Sequence, residues 1–158
     1  SSKQRPSNAQ ERQDPYIFEE LTDVTPEEFE QLKGIFAQLT DRPLKAEAYV
    51  GLINSEQANL YIARSTQLPH QPIVGMCTLC VGRCLSGCKG WIEDVVVDKK
   101  HRGVGLGKRL LRFVHERAKT LGVGSLILTS APHRVEANGL YRSLGYELRD
   151  TNAYRLNL

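Results

Sequence analysis

The stretch Gly90–Leu111, GWIEDVVVDKKHRGVGLGKRLL, changes its period midway, and that change sets the fold. Its first half alternates as a strand does, with Trp91, Glu93, Val95 and Val97 on one face and Ile92, Asp94 and Val96 on the other. The strand breaks at Asp98–Lys100 and the chain turns through Gly103, Gly105 and Gly107. From about Leu106 the apolar positions recur at helical spacing. A strand that feeds a glycine-rich turn at a helix N-terminus offers unpaired backbone N–H groups and the positive end of a helix dipole. The stretch therefore predicts a site for an anion, and in particular for a phosphate.

Charge is distributed to match. The 158 residues carry a net charge of +3, yet residues 99–119 hold eight Lys and Arg against the single acid Glu116. Positive charge gathers around the proposed turn, as an anionic ligand favours. With 41% hydrophobic and 25% charged residues, the composition suits one globular domain with its own core. Residues 1–15 are polar and aperiodic and read as a flexible N-terminal tail, leaving residues 16–158 as the domain. No apolar run has the length of a membrane span, and the chain reads as cytoplasmic. Cys77, Cys80, Cys84 and Cys88 invite a zinc or disulfide reading. Cys77 and Cys80 stand an odd number of residues apart in a strand and point to opposite faces, which favours free thiols.

Outward from the opening stretch, Tyr16–Leu21 reads as a first strand. Thr25-Pro26-Glu27-Glu28 combines an N-cap, a first-turn proline and a capping-box Glu, and starts a helix with Phe29, Leu32, Ile35, Phe36 and Leu39 on one stripe. A second helix is expected over about Leu44–Ile53. Ala58–Arg64 and Ile73–Val81 read as strands, and Gly82–Gly90 as the turn into the Trp91 strand. Beyond the glycines, Leu106, Leu110, Leu111, Val114, Ala118 and Leu121 mark a helix that stops at Gly122. Ser125–Thr129 reads as a strand buried on both faces, parallel to the Trp91 strand through a right-handed crossover. A helix over about Arg134–Leu144 stops at Gly145, and Tyr146–Arg149 with Ala153–Leu158 are expected to close the sheet as a hairpin. The fold class is α/β with a mixed sheet, in the order β-α-α-β-β-β-α-β-α-β-β.

Two common phosphate sites fail on spacing. Gly103, Gly105 and Gly107 do not form a G-x-G-x-x-G dinucleotide fingerprint, and the next strand ends without an acid for a ribose. A P-loop needs Ser or Thr after Gly-Lys, and Arg109 follows Gly107-Lys108. Arg102-Gly103-Val104-Gly105-Leu106-Gly107, directly after the Val95–Val97 strand end, instead resembles the signature of the GNAT superfamily of acetyl-CoA-dependent N-acetyltransferases. The family's second segment is matched by Asn138-Gly139-Leu140-Tyr141 followed by Leu144-Gly145-Tyr146. The element order agrees, so the resemblance covers about Tyr16–Leu158. The phrases WIEDVVVD and LTSAPHRVEANGLYRSLGY are most similar to small bacterial members with undefined acceptors.

The resemblance implies a GNAT-like acyl-CoA N-acyltransferase fold, with acetyl-CoA as co-substrate and transfer of acetyl directly to a primary amine of a small molecule or protein. It implies that the pyrophosphate of coenzyme A sits on the backbone of Gly103, Val104, Gly105, Leu106, Gly107 and Lys108, with charge from Arg102 and Lys108. Pantetheine would follow the backbone of Val95, Val96 and Val97, whose N–H groups include a donor for the thioester carbonyl. Asn138 and Tyr141 share a helix face and would reach the thioester end, with Tyr141 as the general acid. The attacking amine must lose a proton, and Glu93 is favoured for that role, acting through water; Asp94 or a water chain is the alternative base, and a strand carboxylate paired with an Arg or capping the turn is the alternative role. Asp94, its neighbour on the strand, is assigned the opposite face. His101, His115 and His133 read mainly as surface residues, with His133, just before the Asn138 helix, in reach of the acceptor or cofactor. An acceptor pocket is expected between Leu39–Lys45 and Arg149–Tyr154, with Asp41, Arg42, Asp150, Asn152 and Tyr154 as contacts. The partner is then an amine, with no membrane or nucleic-acid partner expected and a homodimer admitted. The alternatives are a non-catalytic acyl-CoA-binding module and an amino-sugar-phosphate N-acetyltransferase, in which His is usual where Trp91 stands.

Overall fold

The computed structural model of the protein describes residues 12–158. Most of the tail expected at residues 1–15 lies outside the described residues. Its last part is held in place: Asp14 pairs with Arg109, and the Thr66 hydroxyl donates to the Asp14 carbonyl at 2.6 Å.

Five strands form one sheet in sequential order: β1 (Tyr16–Glu20), β2 (Ala58–Ser65), β3 (Ile73–Cys84), β4 (Gly87–Val97) and β5 (Ser125–Ile127). The first four are antiparallel neighbours and β5 runs parallel to β4. Four helices cover the sheet: α1 (Pro26–Phe36), α2 (Ala46–Ile53), α3 (Leu106–Thr120) and α4 (Val135–Ser143). The capping box at α1 forms as its sequence predicts, with Thr25 accepting from the Glu28 N–H and Glu28 accepting from the Thr25 N–H. Leu32 and Ile35 of α1 pack on Leu60, Ile62, Met76 and Val96. On the opposite face, Leu110, Leu111, Val114 and Ala118 of α3 pack on Tyr61, Cys77, Leu79 and Ile92. Leu110 and Leu111 are fully buried, so truncating either to Ala costs about 2–5 kcal/mol.

Both helices that follow the glycine turn end as expected. Gly122 and Gly145 take φ +80 and +92. In each case the next residue's N–H reaches back, Val123 to Ala118 O and Tyr146 to Tyr141 O, both at 3.0 Å. Each helix thus closes in a Schellman motif.

Four expectations are corrected. The hairpin proposed for Gly82–Gly90 is tighter, because β3 runs to Cys84 and β4 begins at Gly87. Gly82 and Gly90 are ladder residues whose missing Cβ makes room for neighbours: Leu126 stands 2.7 Å from where a Gly90 Cβ would be. The face assignment along β4 changes at Asp94. Thr78 pairs with Glu93 and Met76 with Val96, so Asp94 and Val95 together oppose Cys77 in a β-bulge. Val96 therefore joins the α1 face, while Val95 and Val97 pack on the α3 side. The strand after α3 is only three residues long and is not buried on both faces. Finally, the closing hairpin is not formed as strands: residues 146–158 have no regular structure, and Leu148, Tyr154, Leu156 and Leu158 are 82% or more exposed. Without that hairpin, no strand pairs with the outer edge of β5 among the described residues.

Candidate active site

The glycine turn folds as a bare helix start. Gly103 and Gly105 take φ +80 and +77, a left-handed region that glycine enters without the Cβ penalty. Gly105 is the N-cap of α3 and supplies no side-chain cap, so the first-turn N–H groups are left for a ligand. The first turn holds no acid, only Lys108 and Arg109, a choice that opposes the helix dipole unless an anion is present. Arg109 is occupied by Asp14, which leaves Lys108 with Arg102 beside the turn. Gly107 serves differently. A Cβ there would meet Leu140 at 3.4 Å and Val97 at 3.6 Å, so it lets α3 approach α4 and β4 closely.

The second wall is an open strand edge. β5 pairs with Lys89, Gly90 and Trp91 and no further, so β4 has no neighbour on that side from Ile92 onward. The Asp98 N–H crosses to Val74 O on β3 at 2.8 Å. Strand alternation then turns the polar backbone groups of Val97 to the open edge, and Val95 lies beside the same edge at the bulge. The Val97 carbonyl is taken there by Arg102 Nε at 3.0 Å, whereas no strand pairs alongside Val95 among the described residues.

Edge and helix start enclose a cleft of about 790 Å³. Val95–Val97, Arg102, Gly103, Gly105–Lys108 and the residues around the start of α4 line it. Of the expected ligand-binding positions in the turn, only Val104 does not line the cleft, and it is 61% exposed. Leu106 contributes through its backbone, since its side chain is buried against Ala63 and Val74. His101 and His133, read from sequence as surface residues, both line the cleft. His101 Nδ1 lies 2.9 Å from the Tyr16 hydroxyl, which ties the turn to β1. Gln38 and Arg134 also line the cleft and were not anticipated. Gln38 accepts from the Lys99 N–H at 2.9 Å and so fixes the chain after β4. These roles depend on topology and leave no motif in the sequence.

Asn138 and Tyr141 do not line this cleft. α4 turns Ala137 and Leu140 toward it and presents Asn138 and Tyr141 to a neighbouring groove of about 1530 Å³, bounded by β5, α3 and residues 144–153. Arg149 and Asn152, expected acceptor contacts, line that groove, whereas Asp41, Arg42, Asp150 and Tyr154 line neither cavity. Asn138 donates to the Ala131 carbonyl at 3.0 Å and thereby braces the loop before α4. Tyr141 is 7% exposed and packs edge-on against Tyr146, ring centres 5.8 Å apart. Burial pushes its phenol up. Arg134, which lines the cleft, pulls the other way, and Cys77, which opposes the bulge, adds to the rise. The Ser130 hydroxyl, between β5 and α4, is buried with no hydrogen-bond partner among the described residues. An orphaned polar group of that kind, lining the neighbouring groove, suits a polar ligand. His115 is also not a simple surface residue: Nε2 lies 2.7 Å from the Tyr146 hydroxyl, and burial lowers its pKa.

The carboxylates are arranged differently from the simple alternation. Asp94 takes φ +52 and its Oδ2 accepts from the buried Thr78 hydroxyl at 3.2 Å. Thr78 is the cross-strand partner of Glu93, so the bulge puts both acids on the α1 side of the sheet. Glu93 is exposed, and partial desolvation, then the charge of Asp94, raises its pKa. A carboxylate of raised pKa is a better proton acceptor than an ordinary one. The four cysteines form no disulfide. Cys77 packs in the α3-side core while Cys80 sits opposite Trp91 on the other face.

Comparison with known proteins agrees with this geometry. Glucosamine 6-phosphate N-acetyltransferase 1 of Oryza sativa subsp. japonica is 39% identical over 66 residues, 42% of this chain and 37% of that protein. A glucosamine 6-phosphate N-acetyltransferase of Trypanosoma brucei brucei is 35% identical over 91 residues, 51% of this chain and 57% of the relative. The chain thus spans between about a third and three fifths of these two curated relatives. The crystal structure of an acetyltransferase from Trypanosoma brucei superimposes with a TM-score of 0.73 at 23% identity, covering 90% of this chain and 99% of that one. The model of the acetyltransferase (GNAT) family matches residues 14–146, which include the glycine turn, the bulged strand and Tyr141, and the chain belongs to that family.

Proposed function

We propose that the protein is an N-acetyltransferase that moves acetyl from acetyl-CoA to a primary amine. The observation that carries this reading is the juxtaposition of an uncapped helix start with an unpaired strand edge. The first matches a pyrophosphate and the second matches an amide-bearing chain. Gly103, Gly105 and the first-turn N–H groups of α3 would hold the pyrophosphate, with Arg102 and Lys108 supplying charge. The Val95 backbone and the Val97 N–H would take the pantetheine amides, beside the Val97 carbonyl that Arg102 holds. When bound, acetyl-CoA supplies an activated acyl group and a thiolate leaving group.

The chain's own residues then handle two protons. A lysine-like amine of pKa ~10.4 is almost wholly protonated at neutral pH, which adds about 4–5 kcal/mol unless a base removes the proton. Glu93, with its raised pKa and exposed position, serves as that base through water. The Val95 N–H, at the bulge beside the unpaired strand edge, would donate to the acyl oxygen. Tyr141, whose burial keeps its phenol protonated, supplies a proton to the departing sulfur. The relatives' names favour a second reading, an amino-sugar phosphate as acceptor.

The test is acetyl-CoA-dependent thiol release across a panel of amines. Turnover with at least one amine is expected, reduced by Tyr141→Phe and by Glu93→Gln. Acetyl-CoA binding without turnover of any amine would point to a non-catalytic acyl-CoA-binding module.

A further inference from the structure

The α1-side face of β4 carries a stripe that neither the cleft nor the core uses. Lys89, Trp91 and Glu93 occupy every second position there, about 6–7 Å apart along the strand. Trp91 is 36% exposed in the middle of the sheet. Its ring lies across Gly82: a Cβ on Gly82 would stand 2.7 Å from Cζ3, 3.2 Å from Cη2 and 4.0 Å from Cε3. The glycine makes room for the ring edge at Cζ3 beside β3, and part of the indole stays open to solvent. Directly opposite Trp91 is Cys80, and its parallel neighbour on β5 is Ile127. Toward Val97 the stripe ends in Glu93, with Asp94 drawn to the same side by Thr78. Toward the hairpin it ends in Lys89. An aromatic surface thus lies between a cation and two carboxylates. That field turns an ammonium group toward Glu93 and away from Lys89. The indole face accepts a ring or a flat body, and it adds cation–π attraction for the charge beside it.

We infer that Trp91 is the specificity-determining residue for the acceptor, which is an amine borne on a ring: the ring stacks on Trp91 and the amino group lies at Glu93. The inference rests on the N-acetyltransferase reading. Arylmethylamines and amino sugars both present such a ring, and the test separates them.

Trp91 is the only tryptophan of the chain, so its emission reports on the stripe directly. The full chain is titrated with benzylamine, glucosamine and n-propylamine, following Trp91 fluorescence and calorimetric affinity. A saturable emission change is expected with at least one ring amine, which should bind about tenfold tighter than n-propylamine. Trp91→Ala should abolish that preference. Gly82→Ala should do so too, because its Cβ displaces the ring while leaving Trp91 in the sequence. Trp91→Phe should retain most of it. The acetyl-CoA affinity of all three variants should match the unsubstituted chain. Ring amines that bind no tighter than n-propylamine, or a preference that survives both Trp91→Ala and Gly82→Ala, would overturn the inference. Failure of the acetyltransferase reading is seen separately, as no acetyl-CoA binding and no thiol release.

Discussion

Replacement of Asp94 by Ala, Gly and Asn separates the backbone and side-chain contributions to the bulge. At φ +52 a residue with a Cβ incurs about 1–2 kcal/mol that glycine avoids, and Asp and Asn tolerate the region better than Ala. The side chain also satisfies Thr78, which is 4% exposed, through a 3.2 Å hydrogen bond. Leaving that hydroxyl unpaired costs about 1–3 kcal/mol. Asp94→Gly loses the hydrogen bond and relieves the backbone, whereas Asp94→Ala loses the hydrogen bond and relieves nothing. Ala should therefore be the least stable, about 1 kcal/mol or more below Gly. For a chain of this length that is a Tm difference of about 2–4 °C by circular dichroism. Asp94→Asn keeps both the conformation and an acceptor and should unfold near the parent. Asn also removes the charge that helps raise the Glu93 pKa. Glu93 works as a base only when ionised, so the acid limb of the rate profile should move to lower pH in that variant. An Ala variant at least as stable as the Gly variant would refute the strain argument. An unmoved acid limb in the Asn variant would refute the link between the two carboxylates.

Three further outcomes are expected. Tyr141→Phe should lower kcat by about a hundredfold or more at unchanged acetyl-CoA KM, while Tm hardly moves, because the hydroxyl makes no hydrogen bond among the described residues. Gly105→Ala should raise the acetyl-CoA KM and cost about 1–2 kcal/mol in urea unfolding. Its Cβ would meet nothing within 4 Å, so the loss is one of backbone conformation at φ +77. Lys108→Ala and Arg102→Ala should each weaken acetyl-CoA binding, and the deficit should shrink as salt rises, since both charges are in reach of solvent.

The parts of the fold that local chemistry dictates were legible in the sequence. Thr25 and Glu28 define a helix start by themselves, and Gly122 and Gly145 define two helix ends. The spacing from Leu106 to Ala118 names the buried face of α3. The glycine turn was legible for the same reason, since Gly103 and Gly105 are needed by their own dihedrals. What escaped depends on pairing between distant segments. Alternation alone put Val95 with Glu93. Only the register against β3, two residues opposing Cys77, shows that they part company. The final hairpin had suitable residues at Tyr154, Leu156 and Leu158 but needs a neighbour along β5, and it is not formed as strands. His133 and Gln38 came to the cleft because the chain after α1 and the start of α4 converge there, which no short motif encodes, whereas His101 comes with the glycine turn it precedes.

The uncapped start of α3 has a thermodynamic corollary. A helix that opens on glycine and places two cations in its first turn is locally frustrated: its own sequence favours fraying at the end the fold needs intact. An anion seated on those N–H groups replaces the missing cap and reverses the sign of the local field. Occupancy and order at this corner are therefore linked by mass action. Each decade of free ligand above its dissociation constant adds about 1.4 kcal/mol to the folded state. Hydrogen exchange at Leu106–Lys108 should slow first, before protection changes in the core strands β2 and β3.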